Sequence, residues 1–219
     1  MIRKPAIVLT SNARLARDLT LAHARLQHKA GIEAWQKLEI MTLDLWLGSL
    51  QEEIFVTQPE GAVPLRNAQA RLLWQSIIEQ DVLVGQAGLA KMAQKAWQTL
   101  HEHKLLLPRA WSALALSEDQ ETFRRWAIAY EDQCHATNLT DYPQFLTQLP
   151  AQISAGHVDL PSKITLKGFD LEPAPIIRDI LEAMRHQGVQ IEQRSTADTQ
   201  SIKTLSVHAC VHVSDELTR

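Results

Sequence analysis

What most limits the fold of this chain is how its hydrophobic period changes along its length. Both ends alternate strand-like and helix-like patterns, and the middle carries helical periodicity alone. Near the start, the run Ala-Ile-Val-Leu-Thr at 6–10 is bounded by Pro5 and by Ser11 and Asn12. A short continuous apolar run between such breakers is the pattern of a strand buried on both faces of a parallel sheet. Leu15, Leu19, Ala22 and Leu26 then recur at helical spacing, with Arg14, Arg17, Asp18 and Arg25 between them and Gly31 as a stop. A weaker strand at 38–41 precedes a helix marked by Leu43, Trp46, Leu47, Leu50 and Ile54, with Thr42 at its cap position.

The other end repeats the pattern. A strand at 164–167 leads to a helix carrying Ile176, Ile177, Ile180, Leu181 and Met184; Gly188 then opens a strand at 189–192, and an alternating run at 205–213 reads as a fourth strand. Between 65 and 149 the periodicity is helical throughout, in Leu73 with Ile77, in Leu89, Met92, Ala93, Ala96, Trp97 and Leu100, and in Phe123, Trp126, Ala127, Tyr130 and Cys134. Proline- and glycine-bearing breaks at 57–64 and 150–161 flank that stretch. The expectation is an α/β protein: residues 1–60 and 158–219 form an open parallel-sheet core, and 61–157 form an all-helical insertion.

Composition sets limits on function. A hydrophobic content of 45% in 219 residues is ample for a packed core. The net charge of −3 offers no global attraction for a polyanion, so nucleic-acid binding would need a local basic patch. Cys134 and Cys210 lie far apart with no CxxC spacing, which predicts two free thiols, no structural zinc and a reducing compartment. No stretch reaches the roughly 18 apolar residues of a membrane span, and the N-terminal apolar run is too short for a secretory leader, so a cytoplasmic protein is expected.

Several constellations bear on chemistry. Thr10, Ser11, Asn12 and Arg14 close a strand and open a helix, the place where open α/β sheets bind ligands and where helix amides attract phosphate. No glycine precedes Gly31, so a nucleotide phosphate loop is absent; ordinary capping by Ser11 or Asn12 and contact with a nucleic-acid backbone remain as readings. Thr42 repeats the choice at the next strand end. His101 and His103 stand two apart, on different helical faces, and read as a solvated helix end in place of a metal pair. The acids at 118–121 read as a helix start. Without a GxSxG elbow, a hydrolase triad is unsupported. Trp46, Trp97 and Trp126 fall on apolar helical faces; Trp35, Trp74 and Trp111 are open between core packing and base stacking.

Four segments together resemble the N-terminal part of the superfamily-1 helicase-like proteins, in particular the inactivated-helicase subunits such as AddB and RecC and related bacterial DNA repair proteins. They are Val-Leu-Thr-Ser-Asn-Ala-Arg-Leu-Ala at 8–16, Ile-Met-Thr-Leu-Asp-Leu-Trp-Leu at 40–47, the Asp141-Tyr142 stretch within 136–146, and Leu-Lys-Gly-Phe-Asp at 166–170. Their order and spacing carry the resemblance. It implies a RecA-like core with a helical insertion, and a role in double-strand-break repair or recombination beside an active helicase-nuclease subunit. Gly168, Phe169 and Asp170 would be the degenerate form of the Mg²⁺ motif, whose usual Asp-Glu pair is missing.

The resulting expectation is a non-catalytic module, without cofactor or metal, that engages single-stranded or broken-end DNA through Thr10, Asn12, Arg14 and Thr42. The rival expectation is a protein-docking scaffold with no DNA affinity, and a surviving nucleotide hydrolase is a third. Relatives continue into a second helicase-like half and a C-terminal nuclease domain. This chain stops at Asp215-Glu-Leu-Thr-Arg219, in what reads as another helix opening, so a fragment or shortened form is expected and no nuclease activity is assigned to it.

Overall fold

The computed structural model describes residues 4–35, 38–58, 60–81 and 88–194. They form a mixed α/β protein with a four-stranded parallel sheet and seven α-helices. Strand β1 (Ile7–Thr10) leads through α1 (Ala13–Lys29) to β2 (Glu39–Thr42), and α2 (Leu43–Thr57) follows. After β3 (Val63–Pro64) come α3 (Asn67–Asp81), α4 (Leu89–Glu102), a short 3-10 helix (Pro108–Ala113) and α5 (Glu118–Ala136). Strand β4 (Leu139–Thr140), α6 (Tyr142–Ser154), β5 (Lys163–Lys167), α7 (Pro175–His186) and β6 (Gln190–Arg194) complete the order. The expected strand at 205–213 lies outside the described residues, as does Cys210.

The sheet runs β2-β1-β5-β6, all parallel. Register places Ile7 beside Ile164 and Leu9 beside Leu166, and all four are buried on one face against α2, α6 and α7. The other face carries Thr10, Thr42, Thr165 and Lys167. It is covered by α1, which packs on β1 and β2 and contributes no fully buried residue. Because right-handed crossovers leave β1 and β5 in opposite directions, α1 and α7 lie on opposite faces.

A second apolar cluster unites α3, α4 and α5. Trp74 stacks on Tyr130 with ring centroids 4.2 Å apart and meets Trp97 edge-on, and all three are essentially inaccessible. Strands β3 and β4 pair in parallel where the chain enters and leaves this helical block.

Two local readings change with burial. Pro150 does not end α6, which continues to Ser154, because a proline inside a helix loses one hydrogen bond while Leu149 and Ile153 gain full burial in the sheet-side core. Thus α6, inside the stretch 61–157, belongs by packing to the sheet. His101 is buried and not solvated, since it continues the Ala93, Trp97 stripe at four-residue spacing.

Asp141 joins the two clusters. As the N-cap of α6 it accepts from the backbone N–H of Gln144, with the reciprocal bond completing a capping box. Its other oxygen accepts from Trp97 Nε1 and from the Tyr130 hydroxyl, each at 2.9 Å. Burial pushes the carboxyl above its ordinary range, opposed by these donors. Lys104, at the end of α4, adds an exposed ion pair to Asp179 of α7.

Candidate nucleic-acid interface

The residues singled out in the sequence converge on one end of the sheet. Thr10 and Thr42 are register partners at the C-terminal ends of β1 and β2, and Thr10 also partners Lys167, which Gly168, Phe169 and Asp170 follow. Between β1 and β5 the crossovers diverge, so this is the topological switch point where open α/β sheets leave a crevice.

The crevice is filled from within. The Ser11 amide donates to the Lys167 carbonyl at 3.2 Å. Gly168 has a φ of +77°, and a Cβ there would lie 2.6 Å from Leu15 Cδ2 and 2.7 Å from Ser11 Oγ. Glycine is thus required both by the left-handed turn and by the approach of α1. Phe169 packs against the sheet-side core, and its carbonyl accepts from Gln193 Nε2; Asp170 is exposed.

Of the four residues expected to face DNA, two are spent on the fold. Thr10 is fully buried, and its hydroxyl lies 3.2 Å from the Met41 carbonyl and 3.0 Å from that of Asn12, tying the two strand ends together. Thr42 caps α2 by accepting from the Leu45 amide. Asn12 is exposed and caps α1 through Leu15 N, while Arg14 is exposed beside it. The first-turn amides that the cap leaves open point past the strand ends.

The feature that single motifs did not reveal is the charge of α1. The helix bears Arg14, Arg17, Arg25 and Lys29 against one acid, Asp18, and none of the four cations has an ion-pair partner among the described residues. At about 100° per residue, Arg14, Arg17, Arg25 and His28 share one face, with the exposed Asp18 between Arg25 and Lys29 at its edge, opposite the half-buried Leu19 and His23. Counting cations around the helix, in place of summing charge over the chain, would have found this patch. Lys167 adds a fifth cation without an ion-pair partner among the described residues, at the strand ends.

A second concavity, of about 600 Å³, lies between α2, α4 and the first turns of α3, α6 and α7. Its walls carry Asp44 and Glu102 against Arg66. The Tyr142 hydroxyl and Gln51 Nε2 are buried there without hydrogen-bond partners among the described residues. Burial pushes the Tyr142 hydroxyl upward, and Asp44 and Glu102 push it further. Its acidic walls make it a poor seat for phosphate.

Among the described residues, no group of three or more His, Cys, Asp or Glu could hold a metal, and no helix is long and apolar enough to cross a membrane. Burial pushes the Cys134 thiol up to about 12, which keeps it protonated and unreactive at neutral pH. No protein-family model matches the chain, and no curated protein is significantly similar to it in sequence.

Proposed function

We propose that this chain is a non-catalytic, helicase-like module of a DNA repair or recombination protein, with a RecA-like core and a helical insertion, and that it holds single-stranded DNA by its backbone. The observation that carries the reading is the cationic face of α1, whose Arg and Lys side chains have no ion-pair partner among the described residues, and which begins beside the strand ends where the Ser11 amide bonds to Lys167. Guanidinium groups and helix N-terminal amides hold phosphates without reading bases, so sequence preference is low. Ser11 and Leu15, packed into the switch-point crevice, occupy the place where a nucleotide-binding relative would need space for a phosphate loop, which supports a non-catalytic role. Thr10 and Thr42 position this surface and do not touch the ligand.

The test is a titration of a fluorescent single-stranded oligonucleotide across a salt series, with the wild type and an Arg14→Gln/Arg17→Gln variant. Binding that weakens with salt, with a shallower dependence in the variant, supports the proposal. Absence of binding at low salt overturns it in favour of the protein-docking reading, for which the acidic cleft with its unpartnered Tyr142 hydroxyl is the site to examine.

A further inference from the structure

Resting on the reading that this surface holds single-stranded DNA, we propose that Trp35 is a base-stacking platform at the far end of a track laid along α1. Four of the six tryptophans are core residues: Trp74 and Trp97 are at most 1% exposed, and Trp46 and Trp126 at most 8%. Trp111 is half-buried, with its indole N–H on the Leu106 carbonyl. Trp35 alone is exposed, at 40%, and among the described residues it has neither a ring contact nor a hydrogen bond.

Its position gives the exposure a use. The cations of α1 run from Arg14 at the strand ends to Lys29 in the last turn, about 22 Å at 1.5 Å per residue, enough for a handful of nucleotides. Beyond Lys29 the chain reverses through Gly31, with φ +71°, and the Ile32 amide donates back to the Gln27 carbonyl. Trp35 is three residues beyond Ile32, so its Cα lies within about 11 Å of the residue that bonds back to the last turn of the helix. A cationic helix face with a part-exposed indole beyond its last turn matches a polyanion that also carries flat rings.

The rival ligands fit one half of the surface only. An acidic peptide satisfies the cations but has no need of an indole. Duplex DNA keeps its base faces stacked on one another and offers none to Trp35. A membrane-surface helix needs its whole apolar side free, whereas Leu15 and Leu19 of α1 are half-buried and its exposed leucines, Leu21 and Leu26, lie on different sides of the helix. Unpaired bases meet both requirements.

The experiment compares a twelve-nucleotide oligo-dT with an abasic oligonucleotide of equal length, for the wild type, Trp35→Leu and Arg25→Gln/Lys29→Gln, at low salt. The wild type is expected to prefer oligo-dT by roughly 5- to 150-fold, with quenching of its intrinsic fluorescence. Trp35→Leu should bind both ligands like the wild type binds the abasic strand, lose the quenching and keep its salt dependence. The double cation variant should lose affinity for both ligands and keep the preference. A Trp35→Leu protein that retains the wild-type preference overturns the stacking role and leaves the backbone-binding function standing. Failure of the wild type to bind either oligonucleotide, or binding to anionic vesicles in their place, overturns both.

Discussion

Gly168 and His101 show how much a single position can carry. Gly168 combines a left-handed φ with two side-chain atoms inside the volume a Cβ would occupy, so Gly168→Ala should cost about 2–3 kcal/mol, read as a lower urea midpoint at unchanged slope. His101 is held by Thr147, whose hydroxyl donates to the Pro143 carbonyl. The short contact between His101 Nδ1 and Thr147 Oγ1 must therefore carry the imidazole proton, which leaves Nε2 buried and without a partner among the described residues. A second proton would find no acceptor there, and burial lowers the pKa from 6.5 to about 4. The folded pKa lies below the unfolded one, so the contribution is complete above pH 6.5 and is lost as the pH falls towards 4, by up to roughly 3 kcal/mol. The difference in stability between wild type and His101→Asn should shrink over that window, as measured by denaturant unfolding at each pH. The sequence could not anticipate this, because two histidines separated by one residue look like a frayed end until the stripe from Ala93 through Trp97 sets which of them turns inward.

At the level of elements, legibility followed the strength of the local pattern. β1, β2, β5 and β6 were recognisable within a residue or two, because apolar runs between proline, glycine and short polar residues leave few alternatives. The end of α6 was misplaced because a proline speaks to the local chain, whereas Leu149 and Ile153 answer to the sheet. In the candidate site, the position at the strand ends was legible and the division of labour was not. Thr10 looked available until its burial against Met41 became visible, and the basic face of α1 was hidden within a chain of net charge −3. If α1 carries the phosphate contacts, replacing Arg14, Arg17 and Arg25 together by Gln should lower the slope of log affinity against log salt by about 2, given about 0.7 per single-strand contact. The same triple variant should keep its thermal midpoint, because none of the three side chains has an ion-pair partner among the described residues.

For the whole molecule, the sheet-side and helical cores meet chiefly through α4, α6 and α7, with buried Asp141 bonding to side chains of the helical core while capping α6. Removing its carboxylate leaves Trp97 Nε1–H and the Tyr130 hydroxyl buried without acceptors and takes the cap from α6. Asp141→Ala should therefore cost about 3–5 kcal/mol. It should also separate the unfolding of the two cores: wild-type transitions followed by tryptophan fluorescence and by far-ultraviolet circular dichroism should coincide, and those of the variant should part. The pairing of β3 with β4 bears on a different matter. Val63 and Leu139 are ladder neighbours, so the chain leaves and rejoins the frame at strand spacing, about 5 Å, however many residues lie between. Lengthening the intervening segment adds only a slowly growing closure entropy. The helical block is in this sense a cassette, and a different block grafted between Pro64 and Leu139 would leave the strand ends, and whatever they hold, where they are.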